Sequence, residues 1–312
     1  MHITHTDFLL AALTAPLALQ LFIGLAGFGA FTLAAVSESQ AEAQKKAFFN
    51  KFAKQISSMG VFLVIYVALA AVGSAVFLTM RHAAAFALWV ENPMLSTPLA
   101  VALAATTALC LAYRATWQSL KNKPLHKLLG IGAVAGSWAV FFTSLAMKLF
   151  ALKTPPDLVW PVSTSQVLGM ARFACFWPLL LQGILLSMAC AGSLGLIYLL
   201  IRREKDDFGR DYYNFAVRQC AKWALWPSLL QIPAHAWFVY ILWEPVMSVG
   251  KTDPILMFSG AGFVFIAGAC ALWTVVTRAE NPLRQKPLMF AAALCLWAAL
   301  TGITIADVYI FL

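Results

Sequence analysis

Five side chains combine ionisable chemistry with positions inside or at the edge of long apolar runs: Arg81, His82, Arg172, His235 and Asp307. An imidazole exchanges a proton near neutral pH, and a guanidinium or carboxylate supplies fixed charge and hydrogen bonds. Together they could trade a proton with a small bound group while holding it in place. Ionisable groups among apolar residues are costly unless paired or hydrated, which makes each a candidate functional residue. Lys148 shares this setting. Trp89, Trp160, Trp177, Trp237 and Trp243 flank the same level and read as interface anchors.

The elements that must position these groups follow from composition. Hydrophobic residues make up 62% of the chain and charged residues 11%, with a mean hydropathy of +0.79. That is more apolar surface than a soluble protein can bury, so the chain reads as an integral membrane protein. Eight apolar runs are long enough to cross a bilayer: 8–36, 55–80, 97–114, 128–150, 168–200, 220–243, 255–277 and 288–311. None alternates with a period of two, so the expectation is an all-α bundle of eight transmembrane helices.

The runs fall into two similar sets. Pro16-Leu17-Ala18-Leu19-Gln20 returns as Pro178-Leu179-Leu180-Leu181-Gln182, and Phe49-Asn50 with Lys54-Gln55 returns as Tyr213-Asn214 with Arg218-Gln219. Asn92-Pro93 matches Asp253-Pro254, Arg114-Ala115 matches Arg278-Ala279, and Lys123-Pro124-Leu125 matches Lys286-Pro287-Leu288. Offsets of 161 to 164 in constant order imply two repeated four-helix bundles, residues 1–160 and 161–312. An even helix number gives both the same orientation. Lys148, Arg172, His235 and Asp307 keep their type in neither case, so one half has acquired polarity that the duplicated scaffold does not need.

Seventeen of the 22 Lys and Arg residues follow the first, third, fifth and seventh runs. The positive-inside rule therefore places both termini outside the cytoplasm, and the candidate residues near the outer face. The net charge of +9 is accounted for by this topology and argues against nucleic acid as a partner. Met1 to Asp7 contains no basic residue, which makes the first run a retained span. The polar stretches Ser37–Phe48 and Arg202–Tyr212 are helix-prone and should extend the helices that precede them. Gln20 and Gln182, in equivalent helices, should hydrogen-bond across the bundle. Gly24, Gly27 and Gly29, with Ala189, Ala191, Gly192 and Gly195, fit close helix approach.

Other chemistry has no support. There is no nucleophile motif, glycine-rich phosphate loop or acidic metal cluster. The six cysteines lack paired spacing and read as packing residues. Only His235 lies well inside a run, so a haem held by two histidines is not expected.

Several segments resemble subunit I of the cytochrome bd quinol oxidase family. Ala12-Leu13-Thr14-Ala15 is similar to that family's opening segment, Phe49 to Gly60 to its entry into the second helix, and Thr97-Pro98-Leu99-Ala100-Val101 to the start of its third. Arg172-Phe173-Ala174 and the basic turn from Arg202 fit as well. The departures bear on function: Ala18 and Cys175 stand where the family has haem-ligating histidines, and Ala102 and Cys110 where it has glutamates. The long quinol-binding loop is missing. A second resemblance, to the membrane anchors of polysulfide and dimethyl sulfoxide reductases, rests on the glycine-rich stretch Leu21 to Ala34, without the motif those anchors carry after their second helix.

Both resemblances imply a haem-free membrane subunit of a respiratory complex in a bacterial inner membrane. Such a subunit would handle quinone or quinol and anchor extracytoplasmic redox subunits, a multihaem cytochrome or an iron–sulfur protein, beside other membrane subunits and lipid. His235 or His82 would then exchange the proton, and Arg81, Arg172 or Asp307 would hold the headgroup. Two other readings stay open: a purely structural anchor, and a small-molecule transporter.

Overall fold

The computed structural model describes residues 5–81, 93–120, 124–153, 163–206, 208–248 and 252–311. Among these residues every regular element is helical. The long helices are α1 (His5–Gln44), α2 (Ala47–Arg81), α3 (Pro93–Ala115) and α4 (Pro124–Lys153). A short α5 (Thr164–Leu168) then precedes α6 (Phe176–Arg202), α7 (Arg210–Ser248), α8 (Thr252–Arg278) and α9 (Lys286–Phe311). Seven of them, α1 to α4, α6, α8 and α9, are long and apolar enough to cross a membrane. The sixth run lies in α7, which has the length at 39 residues. Arg218, Lys222, Gln231, His235 and Glu244 dilute its apolar character, so composition supports seven of the eight expected spans.

Packing follows the same pattern in each half: α1 against α2 and α3 against α4, then α6 against α7 and α8 against α9. The halves meet chiefly where α1 packs on α6 and α9. Buried positions make up 61% of the most apolar stretch of both α1 and α6, but only 17% in α3 and 22% in α4 and α8. So α1 and α6 form the centre, while the outer helices turn Phe62, Val101, Ile131, Val264 and Leu294 outward. In water such exposure would be expensive; against lipid it is the expected arrangement.

Small residues set the central distance. A Cβ on Gly29 of α1 would collide with the backbone carbonyl of Ser187 in α6, and one on Gly192 would lie 2.5 Å from the Ala224 amide nitrogen of α7. Backbones this close gain van der Waals contact where lipid offers no hydrophobic drive for association. Four of the six cysteines, Cys110, Cys190, Cys220 and Cys270, are buried free thiols, in keeping with a packing role.

Three expectations need correction. The fifth run is not one helix from 168: α5 gives way to a 3-10 turn, Gly169–Arg172, and Phe173 is extended before α6 starts at Phe176. Pro178 therefore sits in the first turn of α6, where its missing N–H costs nothing, instead of kinking a longer helix. Ser37–Phe48 does carry α1 on to Gln44, but α6 stops at Arg202. There Asp206 captures the Arg202 side chain, and Gly209 takes a left-handed φ of 82° before α7 begins. Finally, Gln182 does not pair with Gln20. Its Nε2 donates to the Ala234 carbonyl at 3.3 Å, Gln231 donates back to its own carbonyl at 2.9 Å, and Gln20 is exposed. A buried amide next to α7 finds backbone acceptors there sooner than a side chain on another helix.

Candidate functional site

Ile232, His235, Ala236, Val239 and Tyr240 recur at i, i+3, i+4, i+7 and i+8, so α7 presents them as one stripe. With Ile241, and Phe263 of α8, they line an open, largely apolar cavity of about 900 Å³. His235 is half-buried, its ring edge-on to Phe263 at 4.6 Å and tilted against Phe238 at 5.9 Å. The aromatic neighbours restrict the imidazole without consuming its ring nitrogens. The arrangement can therefore seat a flat apolar molecule and exchange a proton at its edge.

Asp307 of α9 accepts a hydrogen bond from Lys148 Nζ of α4 at 3.1 Å, an ion pair joining helices from opposite halves. Its carboxylate is also close enough for its charge to act on His235. The structure thus gathers His235, Asp307 and Lys148 at one end of the bundle. Arg172 is exposed in the 3-10 turn, whose Met170 and Ala171 pack against the Met147 and Phe150 end of α4, and among the described residues it forms no ion pair. Arg81 is the last residue of α2. His82 lies outside the described residues.

The opposite end holds polar networks that the sequence reading missed. Tyr113 donates to Glu38 at 2.7 Å and stacks on His126 at 4.7 Å, while His126 Nε2 faces Glu38 at 3.6 Å and its Nδ1 lies 3.1 Å from Thr116 Oγ1. Glu38 falls in the polar stretch Ser37–Phe48, where a carboxylate reads as solvated. The available signal was that Phe31, Ala34, Glu38 and Ala41 fall on one helical stripe, and all four are buried. Nearby, Gln55 accepts from Tyr212 at 2.6 Å and donates to Asp206 at 3.2 Å, and Tyr213 donates to the Asp206 carbonyl at 2.8 Å. Burial pushes the Tyr212 phenol up, which keeps it a neutral donor. Arg218 donates to the Ala279 and Glu280 carbonyls at 2.8 and 2.9 Å, satisfying groups left over at the end of α8.

No family model and no curated protein sequence matches the chain. A chain from the structure of bd oxidase from Geobacillus thermodenitrificans does, with a TM-score of 0.70 and 12% identity, over 97% of this chain and 87% of that one. The fold is bd-oxidase-like.

Where the resembling family has a haem-ligating histidine in its first helix, this fold packs an apolar side chain. Ala18 is fully buried in the core formed with Phe22 and Ala26, and α1 and α6 meet backbone to backbone at Gly29 and Ser187. Both nitrogens of His126 already face Glu38 and Thr116.

Proposed function

We propose that the chain is a haem-free membrane subunit of a respiratory electron-transfer complex that binds quinone or quinol in the His235 cavity. It would have eight spans in two like-oriented four-helix halves, with both termini outside the cytoplasm of a bacterial inner membrane. On that outer face it would anchor extracytoplasmic redox subunits, a multihaem cytochrome or an iron–sulfur protein. The bd-like fold and the matching helix pairs of the two halves support this reading. So does the length of α7, which at roughly 1.5 Å per residue exceeds the bilayer core despite its polar positions.

The observation that carries the proposal is the stripe of α7 on which a single imidazole stands among apolar residues beside a cavity of about 900 Å³. A bound quinol supplies electrons and protons to the partner subunits. Ile232, Val239 and Phe263 exclude water from the ring, His235 takes or returns the proton at a ring nitrogen, and the Lys148–Asp307 ion pair supplies fixed charges at the same end of the bundle.

Photolabelling of the assembled complex in native membranes with an azido-quinone tests this. The label is expected on α7 between Ile232 and Ile241 and on α8 near Phe263. His235→Ala should cut quinol turnover by about tenfold to a hundredfold, the usual range for a proton-transfer residue. Unchanged turnover together with labelling elsewhere, or none, would leave the chain a structural anchor.

A further inference from the structure

Four cations converge on one cavity at the end of the bundle opposite His235. Lys51 and Lys54 come from the start of α2, Arg114 from the end of α3 and Arg202 from the end of α6, and they line a space of about 630 Å³. The described carboxylate on its wall, Asp206, is already engaged by Arg202 Nε at 2.6 Å and Gln55 Nε2 at 3.2 Å. Among the described residues Lys51, Lys54 and Arg114 form no ion pair. Lys51 is instead held 5.1 Å above the Phe208 ring, a cation–π contact that restrains the ammonium without neutralising it.

The two guanidiniums share an orientation device. Arg114 Nε donates to Ser58 Oγ at 2.6 Å, and Ser58 in turn donates to the Lys54 carbonyl at 2.9 Å. Arg202 is fixed through Nε in the same way, by Asp206. The terminal nitrogens of both donate no hydrogen bond to any described residue. A guanidinium pinned at Nε with its terminal N–H groups free is preorganised for forked contact with an oxyanion. Four half-buried or exposed cations facing one spent carboxylate also repel one another, and a bound anion offsets that cost.

We propose that this cavity is a binding site for a phosphate-bearing anion, gripped by Arg114, Arg202, Lys54 and Lys51. Since α2 and α3 belong to the first half and α6 with Phe208 to the second, the occupant ties the halves together. The chemistry suits either the headgroup of an anionic phospholipid or a soluble phosphate ester. The site is separate from the quinone reading and does not depend on it.

The test uses the full chain, purified in mild detergent and stripped of lipid. Native mass spectrometry and thermal unfolding would be followed on adding phosphatidylglycerol, phosphatidylcholine or inorganic pyrophosphate. Phosphatidylglycerol binding without pyrophosphate binding identifies a lipid site, and pyrophosphate binding a soluble ligand; in both cases the K51Q/K54Q variant should bind about tenfold more weakly or worse. That variant removes charge without breaking a described hydrogen bond, and size-exclusion chromatography checks its fold. If it fails to fold, K51R/K54R keeps the charge and should bind as the parent does. Equal binding of phosphatidylcholine and phosphatidylglycerol, undiminished binding by K51Q/K54Q, failure of K51R/K54R to bind, or no binding by the parent would overturn the proposal.

Discussion

The two ends of the bundle use polar residues in opposite ways. At the basic end, buried groups are spent on one another: Glu38 on Tyr113, Gln55 on Tyr212 and Asp206, Arg218 on the carbonyls that end α8. At the other end, His235 packs only against aromatic rings beside an apolar cavity, and the Lys148–Asp307 pair is partly exposed. Polar groups that satisfy each other build structure; an imidazole that lines an open apolar groove is placed for a ligand. Even at the basic end the distinction holds locally, since the cations around Lys54 are oriented but unspent.

Removing Glu38 should break this comparison hardest. Glu38→Ala leaves the buried Tyr113 hydroxyl without its acceptor and removes the carboxylate facing His126, at an expected cost of about 2 to 3 kcal/mol. Unfolding in a detergent series would show it, and an unaltered midpoint would mean that the cluster is not holding α1, α3 and α4 together. Gln55→Ala removes one amide that bridges the halves, and should cost about 1 to 2 kcal/mol by the same measurement. A larger loss than for Glu38→Ala would shift the structural weight to the seam between halves. Lys148→Ala, across a partly exposed pair, should cost about 0 to 1 kcal/mol and shrink further with added salt. A salt-insensitive loss above that would place Lys148 among the structural groups after all.

Much of the scaffold was legible because hydropathy is a strong and local signal. Apolar runs located the helices, and glycines such as Gly29 and Gly192 marked where backbones meet. The break before α6 was not legible, since Phe173 to Phe176 is as apolar as the helix that follows it and only the seat of Pro178 hinted at a boundary. Nor was the side-chain pairing of Gln182, which depends on which helix lies nearest. For the candidate site, type and depth single out His235, and type alone Asp307; Lys148 as the partner of Asp307 required the spatial meeting of α4 and α9. Glu38 was passed over because a carboxylate beside a lysine-rich stretch looks solvated until the helix is followed one more turn.

The contact of Gly29 with the Ser187 backbone also constrains how the molecule can move. A carrier that exposes its cargo to each side in turn does so by rocking one half against the other about a central site. Here that central site is closed by two helices touching main chain to main chain, with no side chain to repack as they part. Such a seam acts as a keel: two central helices held at the distance their backbones allow, where any larger residue at position 29 would have to push them apart.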